Sequence, residues 1–215
     1  MEHSEQLARW IREGAQELEL LLGSNQVADL VWYLCQLKKW NQKINLTAIT
    51  KDRDIIVKLF LDSLYCTRAM ETVPDATVLD VGSGAGFPGL PLKIVNHALK
   101  LTLLEPHKKK VAFLRYVIGS LGLQDAMAVP ERASDFAALG ASRGYFSYVL
   151  IRALALDSIL PFAESLLAKD GKVILCRAKP LGPETKLHGL KLSHEVPYIL
   201  PLDYGKRVLS VLSRN

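Results

Sequence analysis

Val78-Leu-Asp-Val-Gly-Ser-Gly-Ala-Gly-Phe-Pro-Gly89 is the stretch on which the fold turns. It begins inside a short apolar run, Thr77–Val81, with the length and Val/Leu content of a buried strand. It then places four glycines within eight residues, Gly82 to Gly89, and opens into Leu90-Pro-Leu-Lys-Ile-Val95, a helical stretch. Strand, glycine-rich bend and helix in that order describe the first turn of a nucleotide-binding α/β unit. There the backbone must bend sharply and let a ligand come close. A bare turn is a poor account of four glycines placed directly after a buried strand.

Downstream of this segment the same alternation repeats. Strands are expected at Leu101–Glu105, Ala126–Val129, Tyr148–Ile151 and Lys172–Cys176. Helices are expected at Gly89–Val95, Lys108–Leu121, Ala133–Leu139 and Asp157–Ala168. Strand–helix alternation predicts a parallel sheet covered on both faces. The tail breaks the pattern: Leu190–Leu200 and Arg207–Leu212 are strand-like and joined by a turn-rich Pro201-Leu-Asp-Tyr-Gly-Lys, which predicts a closing antiparallel hairpin. Upstream the reading is helical. Ser4 is a candidate cap for a first helix that ends before Gly23, and Ser24 or Asn25 for a second. The second carries Val27, Leu30, Val31, Leu34 and Leu37 as one apolar stripe, and a third helix spans Asp54 to Met70. The expectation is one domain: a helical cap over residues 1–72 on an α/β core over 73–215.

The ligand of the glycine bend is the harder question. Gly84-x-Gly86-x-x-Gly89 fits the dinucleotide fingerprint, which taken alone is weak. Asp80 argues otherwise. It lies at the strand end, two residues ahead of the first glycine, where a carboxylate would meet the amino group of a methionine moiety and would repel a pyrophosphate. Pro88 and Pro91 also remove N–H donors that a phosphate would want. Glu105, closing the second strand, can accept both hydroxyls of a ribose, so it fits an adenosine ligand of either kind.

Composition narrows the setting. Of 215 residues, 49% are hydrophobic, enough for a full core, and the net charge of +5 tilts mildly toward anionic partners. The most apolar run, Val149 to Ala168, is interrupted by Arg152, Asp157 and Glu164, too charged for a bilayer helix, and the N-terminus lacks the pattern of a secretory signal. Cys35, Cys66 and Cys176 are far apart and odd in number, suggesting neither a metal site nor a disulfide framework. A cytoplasmic protein without metal is expected.

Asp80-Val-Gly-Ser-Gly-Ala-Gly-Phe-Pro-Gly-Leu-Pro-Leu92 strongly resembles the bacterial small-subunit ribosomal RNA methyltransferase G family, also called glucose-inhibited division protein B. Other pieces agree in order and spacing: Trp40-Asn41 with Asn45-Leu46-Thr47; Leu61-Asp62-Ser63-Leu64; Leu103-Leu104-Glu105 with Lys109 and Phe113-Leu114; Arg132-Ala133; and Arg152-Ala153. The similarity runs from about Leu34 to Cys176. It implies a class I methyltransferase fold with a seven-stranded, mostly parallel sheet. It also implies S-adenosylmethionine (SAM) as methyl donor and N7 of one guanine in 16S ribosomal RNA, free or in the small subunit, as acceptor. The residues it assigns to the cofactor are Asp80, Gly82, Ser83, Gly84, Gly86, Phe87, Glu105, Arg132, Ala133 and Arg152. Four places depart from the family pattern: Leu59 stands where a His is usual, Ile151 where Ser is frequent, Ser134 for an acid, and Arg177-Ala178 for a Lys-Gly.

The chemistry agrees with a site that has no nucleophile–base pair. Guanine N7 carries a lone pair and no proton, so its methylation needs no general base, and holding it in line with the S–CH₃ bond supplies most of the acceleration. Cys35, Cys66 and Cys176 lack the Pro-Cys setting of a cytosine-C5 enzyme. Arg152 and Arg177, just past the fourth and fifth strands, are the candidates to hold guanine O6, Arg152 having a pairing with Asp157 as its alternative. Lys109 and Arg132 suit RNA phosphates or the cofactor loop. Asp62, Asn45 and Thr47 are further pocket candidates, Trp40 and Asn41 read as core and cap, and the histidines as surface. A monomer is expected. A methyltransferase of another RNA or a small molecule, and a non-catalytic ribosome-assembly module, stay open as alternatives. An NAD-dependent oxidoreductase is disfavoured by Asp80.

Overall fold

The computed structural model describes residues 2–71, 75–140 and 142–215. Its strands are β1 (Thr77–Val81), β2 (Lys100–Leu104), β3 (Ala126–Val129), β4 (Phe146–Arg152), β5 (Leu167–Arg177), β6 (Leu190–Ile199) and β7 (Lys206–Arg214). They form one seven-stranded sheet in the order β3-β2-β1-β4-β5-β7-β6. The first five are parallel, and β7 runs antiparallel to both β5 and β6. The expected fold class is the one found. The chain order reverses between β1 and β4, and in open α/β sheets ligands bind at the carboxyl ends of the strands beside such a reversal.

Helix α1 is Glu2–Glu17 and α2 is Ser24–Ile44. The run α3 is composite: Asp52–Ile55, a π-helical stretch Ile56–Leu61, Asp62–Leu64 and a 3-10 turn Tyr65–Ala69. The core helices are α4 (Gly89–Val95), α5 (Lys108–Ser120), α6 (Ala133–Ala138) and α7 (Leu160–Leu166). Alternate strand residues point to opposite faces of a sheet, and two apolar clusters result. On one face Val78, Leu101, Leu103, Leu150 and Ile174 pack with α4, α5 and all three N-terminal helices. On the other Leu79, Val81, Leu104, Val149 and Val173 pack with α6 and α7. The predicted stripe of α2 is buried throughout, from Val27 to Leu37. The seam expected between cap and core, at residues 72 and 73, lies outside the described residues.

Several boundaries differ from expectation. Ser4 lies inside α1, not before it. The second helix is capped by Gly23, whose N–H donates to Gln26 Oε1 at 2.7 Å, so Ser24 and Asn25 are already helical. The helix expected over Asp157–Ala168 is confined to Leu160–Leu166, preceded by a 3-10 turn Leu156–Ser158. Pro161 explains the late start, because proline is tolerated only in the first helical turn. The early end follows from pairing: Leu167 already sits opposite Phe146 in the sheet. Among the described residues no helix is long and apolar enough to cross a membrane.

Candidate functional site

The bend after β1 is held by its own residues. Ser83 donates its N–H to the Leu104 carbonyl at 2.9 Å and its hydroxyl to the Asp80 carbonyl at 2.9 Å, tying the loop to β2 and β1 at once. Gly84 has φ +58°, a left-handed conformation that side chains resist, and nothing but a backbone oxygen stands within 4 Å of where a Cβ would be. Gly89 is needed for a different reason: a Cβ there would lie 2.8 Å from Asp80 Oδ2 and 2.7 Å from Leu103, so only glycine lets α4 start against β1. The ring of Phe87 is buried away from the bend, stacked on Tyr33 (centroids 5.4 Å apart) with its edge against Phe60. The Tyr33 hydroxyl donates to the Ala85 carbonyl, so α2 grips the loop directly.

Two acids flank the bend. Asp80 is fully buried; its Oδ2 accepts the Gly89 N–H at 2.9 Å, while Oδ1 has no hydrogen-bond partner among the described residues. Burial pushes its carboxyl up to about 7, against the opposing pull of the Gly89 N–H, the Arg152 guanidinium and Ser83. A buried carboxylate oxygen with nothing to accept from is able to take a further donor. Glu105 is also buried. Its Oε2 accepts the Gly84 N–H at 3.0 Å, and its Oε1 meets both the backbone N–H (3.0 Å) and the ring Nδ1 (2.6 Å) of His107. His107, read from sequence as a surface residue without a partner, is exposed but does have one.

Beside the bend lies a cavity of about 350 Å³ at the carboxyl ends of the strands, bounded by Gly82, His107, Glu131, Arg132, Ala133 and Leu154 among others. Arg132 and Ala133, singled out by resemblance, therefore line the same hollow as the loop. Glu131 does too, and its Oε2 is buried without a partner among the described residues. Sequence reasoning passed over it, although an acid two residues past β3 is the same kind of signal as Glu105 one residue past β2.

Arg152, at the end of β4, joins a second constellation. One terminal nitrogen lies 3.1 Å from Asp62 Oδ2 and also donates to the Lys58 carbonyl. Its acidic partner is thus Asp62, of α3, and not Asp157. Asp62 is buried; its Oδ1 accepts the Tyr198 hydroxyl at 2.6 Å and lies 4.0 Å from Arg207 Nε. Burial and the Asp62 charge hold the Tyr198 phenol far above its ordinary range. Tyr198 and Arg207 come from β6 and β7 and carry no motif that a sequence reading could use. Arg177 ends β5, its Nε donating to the Lys179 carbonyl at 3.1 Å. It lines a neighbouring cavity of about 350 Å³ with Ile151, Ala153, Leu154, Cys176 and Lys179. Leu154 borders both hollows.

The remaining candidates lie elsewhere. Asn41 and Thr47 clamp one another through two 2.9 Å bonds, side-chain amide to main chain in both directions, and line a separate cavity of about 320 Å³ on the helical cap. Asn45 is the left-handed residue ending α2. Trp40 packs on Phe113 and Tyr116. Leu59 is buried in the core and Lys109 is exposed.

With this geometry in place, the comparisons are specific. Residues 26–196 match the family model described as rRNA small subunit methyltransferase G. The Ribosomal RNA small subunit methyltransferase G of Alkaliphilus metalliredigens is 40% identical over 175 residues, covering 79% of this chain and 71% of the relative. Its counterpart from Pelotomaculum thermopropionicum is 36% identical over 218 residues, covering 97% and 90%. Among solved structures, M. jannaschii TYW2 in complex with AdoMet aligns with a TM-score of 0.52 at 14% identity, over 69% of this chain and 74% of that one. MtNAS in complex with MTA and tNA aligns with a TM-score of 0.60 at 11% identity, over 98% and 86%. At such identities the structural likeness speaks for the fold alone.

Proposed function

The chain belongs to the rRNA small subunit methyltransferase G family and is a SAM-dependent methyltransferase of 16S ribosomal RNA; from that premise we propose that the acceptor is N7 of one guanine, and that the hollow beside the β1 bend is where the methyl donor sits. The observation that supports the second point is that Gly82 of the bend, Arg132 and Ala133 line that one hollow; one residue before the lining residue Val81, the buried Oδ1 of Asp80 has no partner among the described residues. A carboxylate there suits the ammonium of a methionine moiety, and the open space over Gly84 suits close approach of a ligand to the backbone.

When bound, SAM supplies a methyl group on a positively charged sulfur that needs no further activation. The chain's own residues bind and orient. Asp80 holds the amino group. Glu105, with lone pairs remaining beyond those given to Gly84 and His107, accepts from the ribose. Arg132, Ala133 and Glu131 line the hollow with Gly82. Arg152 presents guanidinium donors beyond the one nitrogen committed to Asp62 and Lys58, and these suit the O6 edge of guanine while N7 stays free. Arg177, on the adjoining cavity, is the second candidate for that edge. No side chain has to remove a proton, because N7 has none at neutral pH, so positioning is the main source of rate. We place the work in the cytoplasm, by a monomer.

The test is a nucleotide-resolution mass map of 16S rRNA from cells with and without the gene. One guanine is expected to lose a 7-methyl group in the deletion and to regain it when purified protein and SAM are supplied. An unchanged map would remove the acceptor assignment. A methyl group lost from another atom would remove only the N7 part.

A further inference from the structure

Cys66 and Cys176 are 110 residues apart in sequence, and their sulfurs are 3.3 Å apart in the fold. The wide spacing and odd number of the cysteines suggest no disulfide framework, and all three are free thiols, but the fold brings these two into contact. Cys66 lies in the last turn of α3 and is fully buried, with its sulfur also 4.0 Å from the Asp62 carbonyl. Cys176 is the next-to-last residue of β5, only half-buried, and borders the cavity at the ends of β4 and β5. Cys35 is apart from both, on α2. Cys176 is the more exposed residue of the pair and Cys66 the fully buried one, which assigns attack on an oxidant to Cys176 and resolution to Cys66.

We propose that Cys66 and Cys176 form a reversible disulfide on exposure to hydroperoxides, and that this bond slows methyl transfer by fixing α3 against the end of β5. In the first step the Cys176 thiolate attacks one peroxide oxygen. An S–O bond forms, the O–O bond breaks, and the departing alkoxide takes up a proton as alcohol. In the second, Cys66 gives up its proton and attacks the Cys176 sulfur. The S–S bond forms, the S–O bond breaks, and hydroxide leaves with that proton as water. Two thiols are oxidised by two electrons in total, and one hydroperoxide is reduced to an alcohol and water. Cys66 suits the resolving role by its place: its sulfur is fully buried and 3.3 Å from that of Cys176, so it is screened from the peroxide yet adjacent when the sulfenic acid forms, and the Cys176 contact and burial that hold its thiol well above the ordinary range disfavour it as the first to react.

The consequence for activity follows from what α3 carries. The Lys58 carbonyl and Asp62, both acceptors for Arg152, belong to it. A covalent link drawing the two sulfurs to bonding distance, near 2 Å, pulls the end of α3 toward β5 and shifts those acceptors, while the acids beside the β1 bend are untouched. This second half rests on the reading of Arg152 as a residue facing the RNA base; the first half does not.

The experiment treats reduced, full-length protein with a slight excess of tert-butyl hydroperoxide, alkylates free thiols and maps the peptides. The expected product joins the Cys66 and Cys176 peptides, leaves Cys35 alkylated and reverts with dithiothreitol. Full alkylation of both after peroxide, or Cys176 found as sulfinic acid beside a free Cys66, overturns the proposal. Cys66→Ser, or Cys66→Ala if the first folds poorly, is expected to stop at a Cys176 sulfenic acid that dimedone traps. Methyl transfer to small-subunit RNA should fall several-fold in the oxidised wild type, with SAM affinity unchanged, and not in the variant. A disulfide that forms without changing the rate overturns the regulatory half alone. A fully reduced protein that methylates no RNA overturns the function and leaves the peptide map to decide the disulfide.

Discussion

Asp80 is the residue at which stability and function oppose one another. Its buried carboxyl has been pushed up from 3.8 to about 7, so the folded state holds a proton that the unfolded chain releases near its ordinary value. The sign follows: this group's contribution to stability is fully present below pH 4 and is lost as pH rises through 7, by an amount on the order of 4 kcal/mol. The neutral isostere Asp80→Asn should therefore raise the melting temperature of the ligand-free protein most at pH 8, much less at pH 5 and hardly at all at pH 4, read by calorimetry at all three. The same variant should bind SAM at least tenfold more weakly, a loss of about 1.4 kcal/mol or more. The wild-type affinity should strengthen between pH 6 and pH 8, as Asp80 becomes the carboxylate that an ammonium prefers. A flat affinity profile would separate Asp80 from the cofactor. Glu131 offers a companion test. Glu131 lines the hollow and has a buried Oε2 without a partner among the described residues, and Glu131→Gln should weaken SAM by roughly tenfold while leaving the melting temperature of the free protein nearly unchanged. An unaltered titration would make Glu131 a mere wall.

At the scale of elements, what the sequence could reveal was governed by range. β1, β3 and α4 were legible to the residue, since an apolar run, a glycine bend and a following helix are local signals. α7 and the start of β5 were not, because Leu167 is extended only through its pairing with Phe146, a neighbour that no window around residue 167 contains. The site divides in the same way. Asp80, Gly84 and Glu105 sit at or beside the ends of local elements, where a sequence reading can place them. The partner of Arg152 lies beyond such a reading, since Asp62 comes from α3 and Tyr198 and Arg207 from the β6–β7 hairpin. That hairpin consequently has a role beyond closing the sheet. The Tyr198 hydroxyl fixes Asp62, and Asp62 fixes Arg152, so Tyr198→Phe removes one buried donor and no packing volume. The expected result is a stability loss of about 1–2 kcal/mol and a several-fold drop in kcat with SAM affinity unchanged, measured by initial rates and calorimetric titration. A stability loss with kcat intact would make Tyr198 structural only.

For the molecule as a whole, the helical cap and the sheet share one apolar cluster, running from Leu7 and Ile11 of α1 through Tyr33 and Phe60 to Leu101 and Leu150 of the sheet. The glycine bend is fastened from the cap side by the Tyr33 hydroxyl and by the stacking of Phe87 on Tyr33. If cap and core were separate cooperative units, the bend would be held by a surface free to melt on its own. Continuity of the cluster predicts one transition in calorimetry, with calorimetric and van't Hoff enthalpies equal, and SAM moving that whole transition upward, since a ligand bound by the folded state alone stabilises by about 2.7 kcal/mol at a hundredfold excess over its Kd. Ile11→Ala, a cavity in α1 remote from the hollow, should cost about 2–5 kcal/mol and lower the same single transition. Two transitions, of which SAM shifts only the later, would mean that the cap is an attachment and that the bend keeps its shape without it.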